Sequence, residues 1–239
     1  MTAMQSTATP APTPLSGISS MAARQLLSEL TAAYAQRTGQ GASIASVGGV
    51  DAVRRVQDGE AFDVVILASD AIDKLIASGH LCADSKVDLV HSGVAVAVRA
   101  GTPLPDISSE AAVRQAVLMA PTLSYSTGPS GVALARLFER WGIADQIKAQ
   151  LVTAPPGVPV GSLVAHGEVA LGFQQLSELI PVEGITIVGP LPPAIQITTT
   201  FSAAMTARCT RAPDVAALLH FMASPDAAAA KIRQGMEPA

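Results

Sequence analysis

Residues 17–34 read GISSMAARQLLSELTAAY and form the first strand-to-helix junction that the chain suggests. Leu26, Leu30 and Tyr34 recur every four residues, a spacing that places them on one apolar face of a helix. A short strand is predicted just before this helix, at residues 15–18, although a glycine interrupts it. The stretch therefore predicts a βα unit whose helix packs one face against a sheet.

Two hydroxyl side chains stand where this helix begins. Ser19 and Ser20 precede the apolar face, and a hydroxyl at that position can cap the first free backbone N–H groups. A helix start also attracts anions, because its unpaired amides and the positive end of its dipole face the same point. We therefore predict an anion-binding junction here, to which Arg24 adds a positive charge.

The rest of the chain alternates strands with helices. Residues 62–68 (FDVVILA) form a continuous apolar run, which is typical of a strand buried on both faces of a parallel sheet. The other predicted strands cover residues 15–18, 42–47, 94–98, 122–125, 150–153, 169–173, 185–188 and 195–207. The predicted helices cover residues 20–38, 52–58, 70–79, 109–119, 129–141, 160–166, 174–179, 214–222 and 226–233. This order predicts an α/β fold with helices on both sides of the sheets.

The chain is expected to cross twice between two α/β lobes, near residues 95–101 and 193–203. The predicted division is a disordered tail (1–14), a first lobe (15–96 plus 200–239) and a second lobe (97–199). Ligands of such sheets bind at the carboxyl ends of the strands. A cleft between the lobes is therefore the expected ligand site.

Composition excludes several classes of function. The chain has 239 residues, of which 49% are apolar and 14% charged. Its net charge of −4 does not indicate nucleic-acid binding, which requires a positively charged surface. Cys82 and Cys209 are far apart, and the four histidines form no ligand cluster. We therefore expect no metal and no cofactor.

The sequence also bears on location. No apolar run reaches the length of a membrane span, so no membrane insertion is expected. The first fourteen residues, MTAMQSTATPAPTP, lack the basic start and apolar core of a secretory signal. They predict a cytoplasmic protein, or a periplasmic one if a signal has been removed.

Five strand-to-helix junctions share small residues, free amides or neutral hydrogen-bonding groups, with few carboxylates nearby. Together they predict a small anionic ligand, because a buried anion needs several donors to offset its lost hydration. Each junction also has a plainer explanation as a capped helix, a tight turn or a solvent-facing helix start. The candidate ligand-binding residues are Ser19, Ser20, Arg24, Gly48, Gly49, Ser126, Thr127, Ser130, Gly157, Val158, Gln174 and Gln175.

The order of segments resembles the type II periplasmic-binding-protein fold, and most closely its molybdate-binding branch of solute-binding proteins. The matching segments are ISSMAARQLLSEL, DGEAFDVVILASD, GPSGVALARLFERWGI, HGEVALGFQQLSELI and LLHFMASPDAAAAKIRQGM. In that family, hydroxyls and backbone amides hold an oxyanion. The resemblance assigns this role here to Ser20, the 47–49 loop, Ser130, Gly157 with Val158, and Gln175.

Two departures from the family pattern change the expected ligand. Val47, Gly48 and Gly49 stand where the family has a serine-rich turn, and Gln175 stands where it has a tyrosine. Both changes remove hydroxyl donors that suit a tetrahedral oxyanion, whereas Arg24 and Gln175 match planar carboxylates. We therefore expect an organic di- or tricarboxylate in preference to molybdate.

Two functions stay open at this point. The first is a binding protein that captures a small anion and, if it is exported, delivers it to an ABC transporter permease. The second is a cofactor-free isomerase, since some proteins that resemble this branch are aconitate isomerases. That chemistry needs a proton acceptor, for which Asp51, Asp70 and Glu178 are candidates. Asp70 is expected to cap a helix and Asp51 to face a helix dipole, which leaves Glu178 as a weak candidate base.

Overall fold

The computed structural model describes residues 13–155 and 157–239. Residues 1–12 of the predicted tail lie outside this part of the chain. Thr13 and Pro14 belong to it, and the guanidinium of Arg211 donates to their carbonyl oxygens at 2.8 and 3.4 Å. The chain is thus anchored before the first strand begins.

Strands and helices alternate through most of the chain. The strands are β1 (Leu15–Ser20), β2 (Ala42–Val47), β3 (Val64–Ala68), β4 (Val87–Arg99), β5 (Leu123–Tyr125), β6 (Leu171–Gln175), β7 (Ile185–Pro190), β8 (Thr198–Met205) and β9 (Met236–Pro238). The helices are α1 (Arg24–Thr38), α2 (Gly49–Gln57), α3 (Ser69–Ala77), α4 (Glu110–Met119), α5 (Pro129–Arg140), α6 (Ala144–Ile147), α7 (Val160–His166), α8 (Leu176–Leu179), α9 (Ala212–Ala223) and α10 (Ala228–Arg233). A 3₁₀ turn at Met21–Ala23 separates β1 from α1.

The strands form one mixed sheet in the order β2-β1-β3-β8-β4-β6-β5, and β7 and β9 also pair with β4. β1 runs parallel to β2 and β3, whereas β8 runs antiparallel to both β3 and β4. Helices cover both faces, as the apolar pattern predicts. In β3, Val64 and Ile66 pack with α1 and α9, while Val65 and Leu67 pack with α2 and α3. The predicted α/β class is confirmed.

β4 pairs with different strands along its length. Its residues 87–93 pair with β8, and its residues 94–97 pair with β6. Only 94–98 were predicted as strand, because residues 87–93 (VDLVHSG) mix polar and apolar types. Partners on β8 satisfy two of those polar groups: Ser202 Oγ donates to Asp88 Oδ1 at 2.5 Å, and His91 Nδ1 lies 3.0 Å from Thr200 Oγ1.

Several local predictions were wrong. Residues 150–153 do not form a strand, and only Leu151 makes a bridge, to Leu123. Gln174 and Gln175 end β6, so the helix begins later than predicted, at Leu176, with Gln175 in its N-cap position. Ala68 and not Asp70 occupies the N-cap position of α3.

Separate apolar clusters lie on the two sides of the crossing. Val94, Val96 and Val98 of β4 pack with α4 and α5, while α1 and α9 pack on β1, β3 and β8. This separation is compatible with two lobes. The lobe boundaries stated above stay a prediction.

No helix in the described residues is long and apolar enough to cross a membrane.

Candidate functional site

The carboxyl end of β1 holds the first predicted site residues. Ser20 Oγ is buried and has no hydrogen-bond partner among the described residues. Ser19 is fully buried, and its hydroxyl donates to the Ser20 carbonyl at 3.1 Å. Neither hydroxyl caps a helix, so the predicted capping role was wrong. The Ser20 hydroxyl is left unpaired, which is costly for a buried polar group. Its role in ligand binding stays a prediction.

Arg24 is the first residue of α1, one short turn beyond Ser20. Its side chain is exposed and makes no hydrogen bond or ion pair with another residue in the described part of the chain. Its role in binding an anion stays a prediction.

Gly48 and Gly49 begin α2. Gly48 has φ −58°, which any residue adopts, and a Cβ atom on either glycine would meet nothing within 4 Å. Neither backbone strain nor crowding therefore explains the two glycines. Open space beside these amides is what close approach of a ligand to the backbone requires.

Ser126 and Ser130 come together at the start of α5. Their hydroxyl oxygens lie 3.0 Å apart, and Ser130 is 6% exposed. Gly131 makes this turn possible, because a Cβ there would lie 1.5 Å from the Ser126 carbonyl oxygen. Thr127 is exposed. The loop thus presents two linked hydroxyls at a helix start.

The Gly157 and Val158 junction differs from its prediction. Gly157 takes φ +79°, and the Val158 amide donates to the Pro155 carbonyl at 3.0 Å. That amide is therefore already used within the loop. The expectation that both amides here are free was wrong for Val158.

Gln174 and Gln175 point in opposite directions, because neighbouring residues of a strand face opposite sides of the sheet. The Gln174 carbonyl oxygen Oε1 accepts from the Gly161 amide at 3.0 Å, at the start of α7. Gln175 Nε2 donates to Thr199 Oγ1 at 2.9 Å, and Gln175 Oε1 is buried with no partner among the described residues.

Thr199 was not among the site residues predicted from the sequence. It lies in β8 next to Ser92 of β4, whose hydroxyl is also buried without a partner in the described residues. Directly opposed residues of antiparallel strands share one face of the sheet. The run Thr198, Thr199 and Thr200 at the start of β8 was the signal in the sequence that pointed to these polar groups.

Glu178 has an unusual environment for a carboxyl group. Burial raises its pKa from 4.5 to about 7, and hydrogen bonding from the Gln174 side chain partly opposes the rise. Asp51 and Asp70 differ: Asp51 pairs with Arg54, and the 63% exposed Asp70 side chain lies 3.5 Å from Lys74. Of the three candidate bases, Glu178 is therefore the one whose carboxyl group is desolvated.

A hydrogen bond joins α8, the helix that contains Glu178, to the 3₁₀ turn that follows β1. Ser177 Oγ donates to the Ala22 carbonyl at 2.9 Å. Ser177 is the neighbour of Glu178, and Ala22 is two residues beyond Ser20. The structure thus brings the end of β1 against the short helix that follows β6.

Two cavities lie away from the predicted site residues. One of about 320 Å³ is lined by residues of α5 and of the segment 194–197. The other, of about 770 Å³, lies between α9 and residues 82–87. Convergence of the five junctions on a shared cleft stays a prediction.

Within the described residues, no group of three or more His, Cys, Asp or Glu side chains is placed to hold a metal ion. Cys82 and Cys209 are free thiols.

A mixed sheet that the chain crosses between two α/β lobes, with hydroxyls and amides at the strand ends, defines the type II periplasmic-binding-protein fold. The periplasmic molybdate-binding protein of Azotobacter vinelandii shares it, with a TM-score of 0.78, 20% identity and coverage of 93% of this chain and 98% of that one. The substrate-binding domain of a putative molybdenum ABC transporter from Clostridium difficile has a TM-score of 0.74 at 14% identity, covering 95% and 99% of the two chains.

The chain belongs to the bacterial extracellular solute-binding protein family, whose model matches residues 15–237. It is 41% identical over 234 residues to an aconitate isomerase from a Pseudomonas species, a match that covers 95% of this chain and 88% of that protein.

Proposed function

We propose that the chain binds an unsaturated tricarboxylate of the aconitate type and interconverts its isomers. The observation that carries the proposal is the 41% identity to an aconitate isomerase across nearly the whole chain. Fold by itself does not determine function, and the structures that share this fold at 20% identity or less support only the architecture.

The site residues fit a carboxylate ligand. Arg24 offers a planar guanidinium that matches a carboxylate with two parallel hydrogen bonds. Ser20 and the pair Ser126 and Ser130 offer hydroxyls, and the open backbone at Gly49 offers an amide. The buried, unpaired Ser20 hydroxyl supports this assignment, because a ligand atom would supply its missing partner.

Isomerisation of such a ligand is a proton shift. A proton leaves one carbon of the chain, the double bond moves, and a proton joins another carbon. The reaction needs a proton acceptor and groups that stabilise the negative charge developing on the carboxylate-bearing carbons. The candidate site offers both kinds of group in Glu178 and Arg24.

A second candidate is a binding protein that captures the same anion without turnover. Membership of the extracellular solute-binding family favours it. In that case the partner is an ABC transporter permease and the protein works outside the cytoplasm.

The test follows trans-aconitate by NMR in the presence of the protein and measures thermal shifts with trans-aconitate and with molybdate. We expect cis-aconitate to accumulate and trans-aconitate to raise the melting temperature more than molybdate does. Stabilisation by trans-aconitate without any cis isomer would favour the binding protein. A larger shift with molybdate would contradict the carboxylate ligand altogether.

A further inference from the structure

We propose that the cavity between α5 and residues 194–197 is a second anion-binding site, which takes a small organic polycarboxylate. The cavity has a volume of about 320 Å³ and is lined by Arg136 and Arg140 of α5 and by Gln196. None of the candidate ligand-binding residues predicted from the sequence lines it. The inference is therefore independent of the proposed isomerase function.

Two arginines give the cavity its charge. Arg136 and Arg140 are four residues apart on α5, so they are neighbours on one face of the helix, with Cβ atoms about 5–6 Å apart. Like charges at this spacing destabilise a helix, and a bound anion would offset their repulsion. No acidic side chain of the described residues is among those that line the cavity.

Protein carboxylates compensate this positive charge only in part. Arg136 is exposed and makes no hydrogen bond or ion pair with another residue in the described part of the chain. Arg140 Nη2 lies 3.3 Å from Glu110 Oε1, but the same oxygen accepts from Trp141 Nε1 at 2.6 Å. An exposed ion pair of this kind contributes little, so both guanidinium groups can bind an external anion.

Gln196 adds an uncharged donor to the two arginines. Its Oε1 accepts from the amides of Val94 at 3.2 Å and Ile197 at 2.8 Å, which fixes the plane of the side-chain amide. Its Nε2 is then the group that still needs an acceptor, because no acceptor for it is found among the described residues. A bound carboxylate would supply that acceptor.

The lining of the cavity indicates the class of ligand. Each guanidinium can bind a carboxylate through two parallel hydrogen bonds, so two arginines match a molecule with at least two carboxylates. Leu137 and Ile195 also line the cavity and offer apolar contacts to a carbon skeleton. A volume of about 320 Å³ lies at the lower end of the range of roughly 300–1,000 Å³ that small-molecule sites occupy. These features favour a small organic polycarboxylate over an inorganic oxyanion.

The experiment titrates citrate into ¹⁵N-labelled protein at low ionic strength, because salt screens exposed charges. NMR follows the Nε–H signals of Arg136 and Arg140, and the signal of Arg24 reports separately on the predicted junction site. Inorganic phosphate is the comparison probe. The variants are Arg136→Gln and Arg140→Gln, and the control Arg114→Gln makes the same change at an exposed arginine of α4 outside the cavity. Circular dichroism checks folding.

We expect millimolar citrate to shift the signals of both cavity arginines and of the Gln196 side-chain amide. Each cavity variant should raise the Kd reported by the remaining arginine about tenfold or more, because one carboxylate loses its charged partner. Arg114→Gln should leave that Kd within about twofold of the parent value.

Three results would overturn the inference. If citrate leaves the signals of Arg136 and Arg140 unshifted, the second site does not exist, whether or not the Arg24 signal moves. If phosphate shifts both signals at concentrations as low as citrate does, the cavity binds isolated oxyanions and the polycarboxylate class is wrong. If Arg114→Gln weakens citrate binding as much as Arg136→Gln does, net charge and not the cavity attracts citrate.

Discussion

Glu178 couples the stability of the protein to pH. Its pKa is about 7 in the folded chain and 4.5 as an ordinary glutamate. Between these values the folded state holds a proton that the unfolded state has released. The contribution of Glu178 to stability is therefore greatest below pH 4.5 and is lost as the pH rises toward 7. Since one pKa unit corresponds to about 1.4 kcal/mol, the loss is roughly 3 kcal/mol.

Replacing Glu178 by glutamine should remove this dependence. We expect Glu178→Gln to have a higher free energy of unfolding than the parent protein at pH 8. This difference between the two proteins should be smaller at pH 4.5 by roughly 3 kcal/mol. Urea unfolding at the two pH values measures the difference. Strand β6 and the Met21–Ala23 turn, which pack against α8, carry no titratable side chain. An equal gain for Glu178→Gln at both pH values would contradict the raised pKa of Glu178.

At the scale of single elements, α2 and α5 both have a glycine near their first residue, but the surroundings of the two glycines differ. Gly131 in α5 is enforced by packing, because a Cβ would overlap the Ser126 carbonyl oxygen at 1.5 Å. Gly49 in α2 has open space around it. The loop requires the first glycine, whereas the second is the one that we propose a ligand approaches.

Alanine substitutions should separate these two roles. Gly131→Ala should lower the free energy of unfolding by about 2 kcal/mol or more, since overpacking forces the backbone to move. Gly49→Ala should keep the stability or raise it by up to about 1 kcal/mol, as expected for a helical glycine without strain. It should nevertheless weaken trans-aconitate binding. Urea unfolding and calorimetry test the pair, and unchanged binding in Gly49→Ala would remove the α2 start from the site.

At the scale of the whole molecule, the side chain of Gln196 adds to the backbone hydrogen bond between Val94 and Ile197. Gln196 Oε1 accepts from the Val94 amide at 3.2 Å and from the Ile197 amide at 2.8 Å. Val94 is where β4 changes partner from β8 to β6. Gln196 therefore stabilises the point at which β4 changes its pairing partner.

Gln196→Ala should cost roughly 1 kcal/mol of stability, because the Ile197 amide loses an acceptor while the Val94 amide keeps the Ile197 carbonyl at 3.1 Å. Urea unfolding measures the loss. The matched control is Gln146→Ala, whose exposed amide bonds only to the Gly142 carbonyl one turn before it. Equal stability of the two variants would assign Gln196 no role at the crossing.

The sequence by itself determined the α/β class, the two-faced burial of β3 and the apolar face of α1, because these depend on local periodicity. It also indicated which strand ends carry hydroxyls and amides. It did not predict the full length of β4, where polar side chains are satisfied only by partners on β8 more than a hundred residues away.

Tertiary structure decided the rest. Only the fold could place Thr199 against Gln175, occupy the Val158 amide within its own loop, and turn Gln174 toward α7. Only the fold could distinguish Glu178 from Asp51 and Asp70, since all three are acidic residues near helix starts in the sequence. The physical reason is that burial and hydrogen-bond partners are properties of packed surroundings, and those are assembled from segments that lie far apart in the chain.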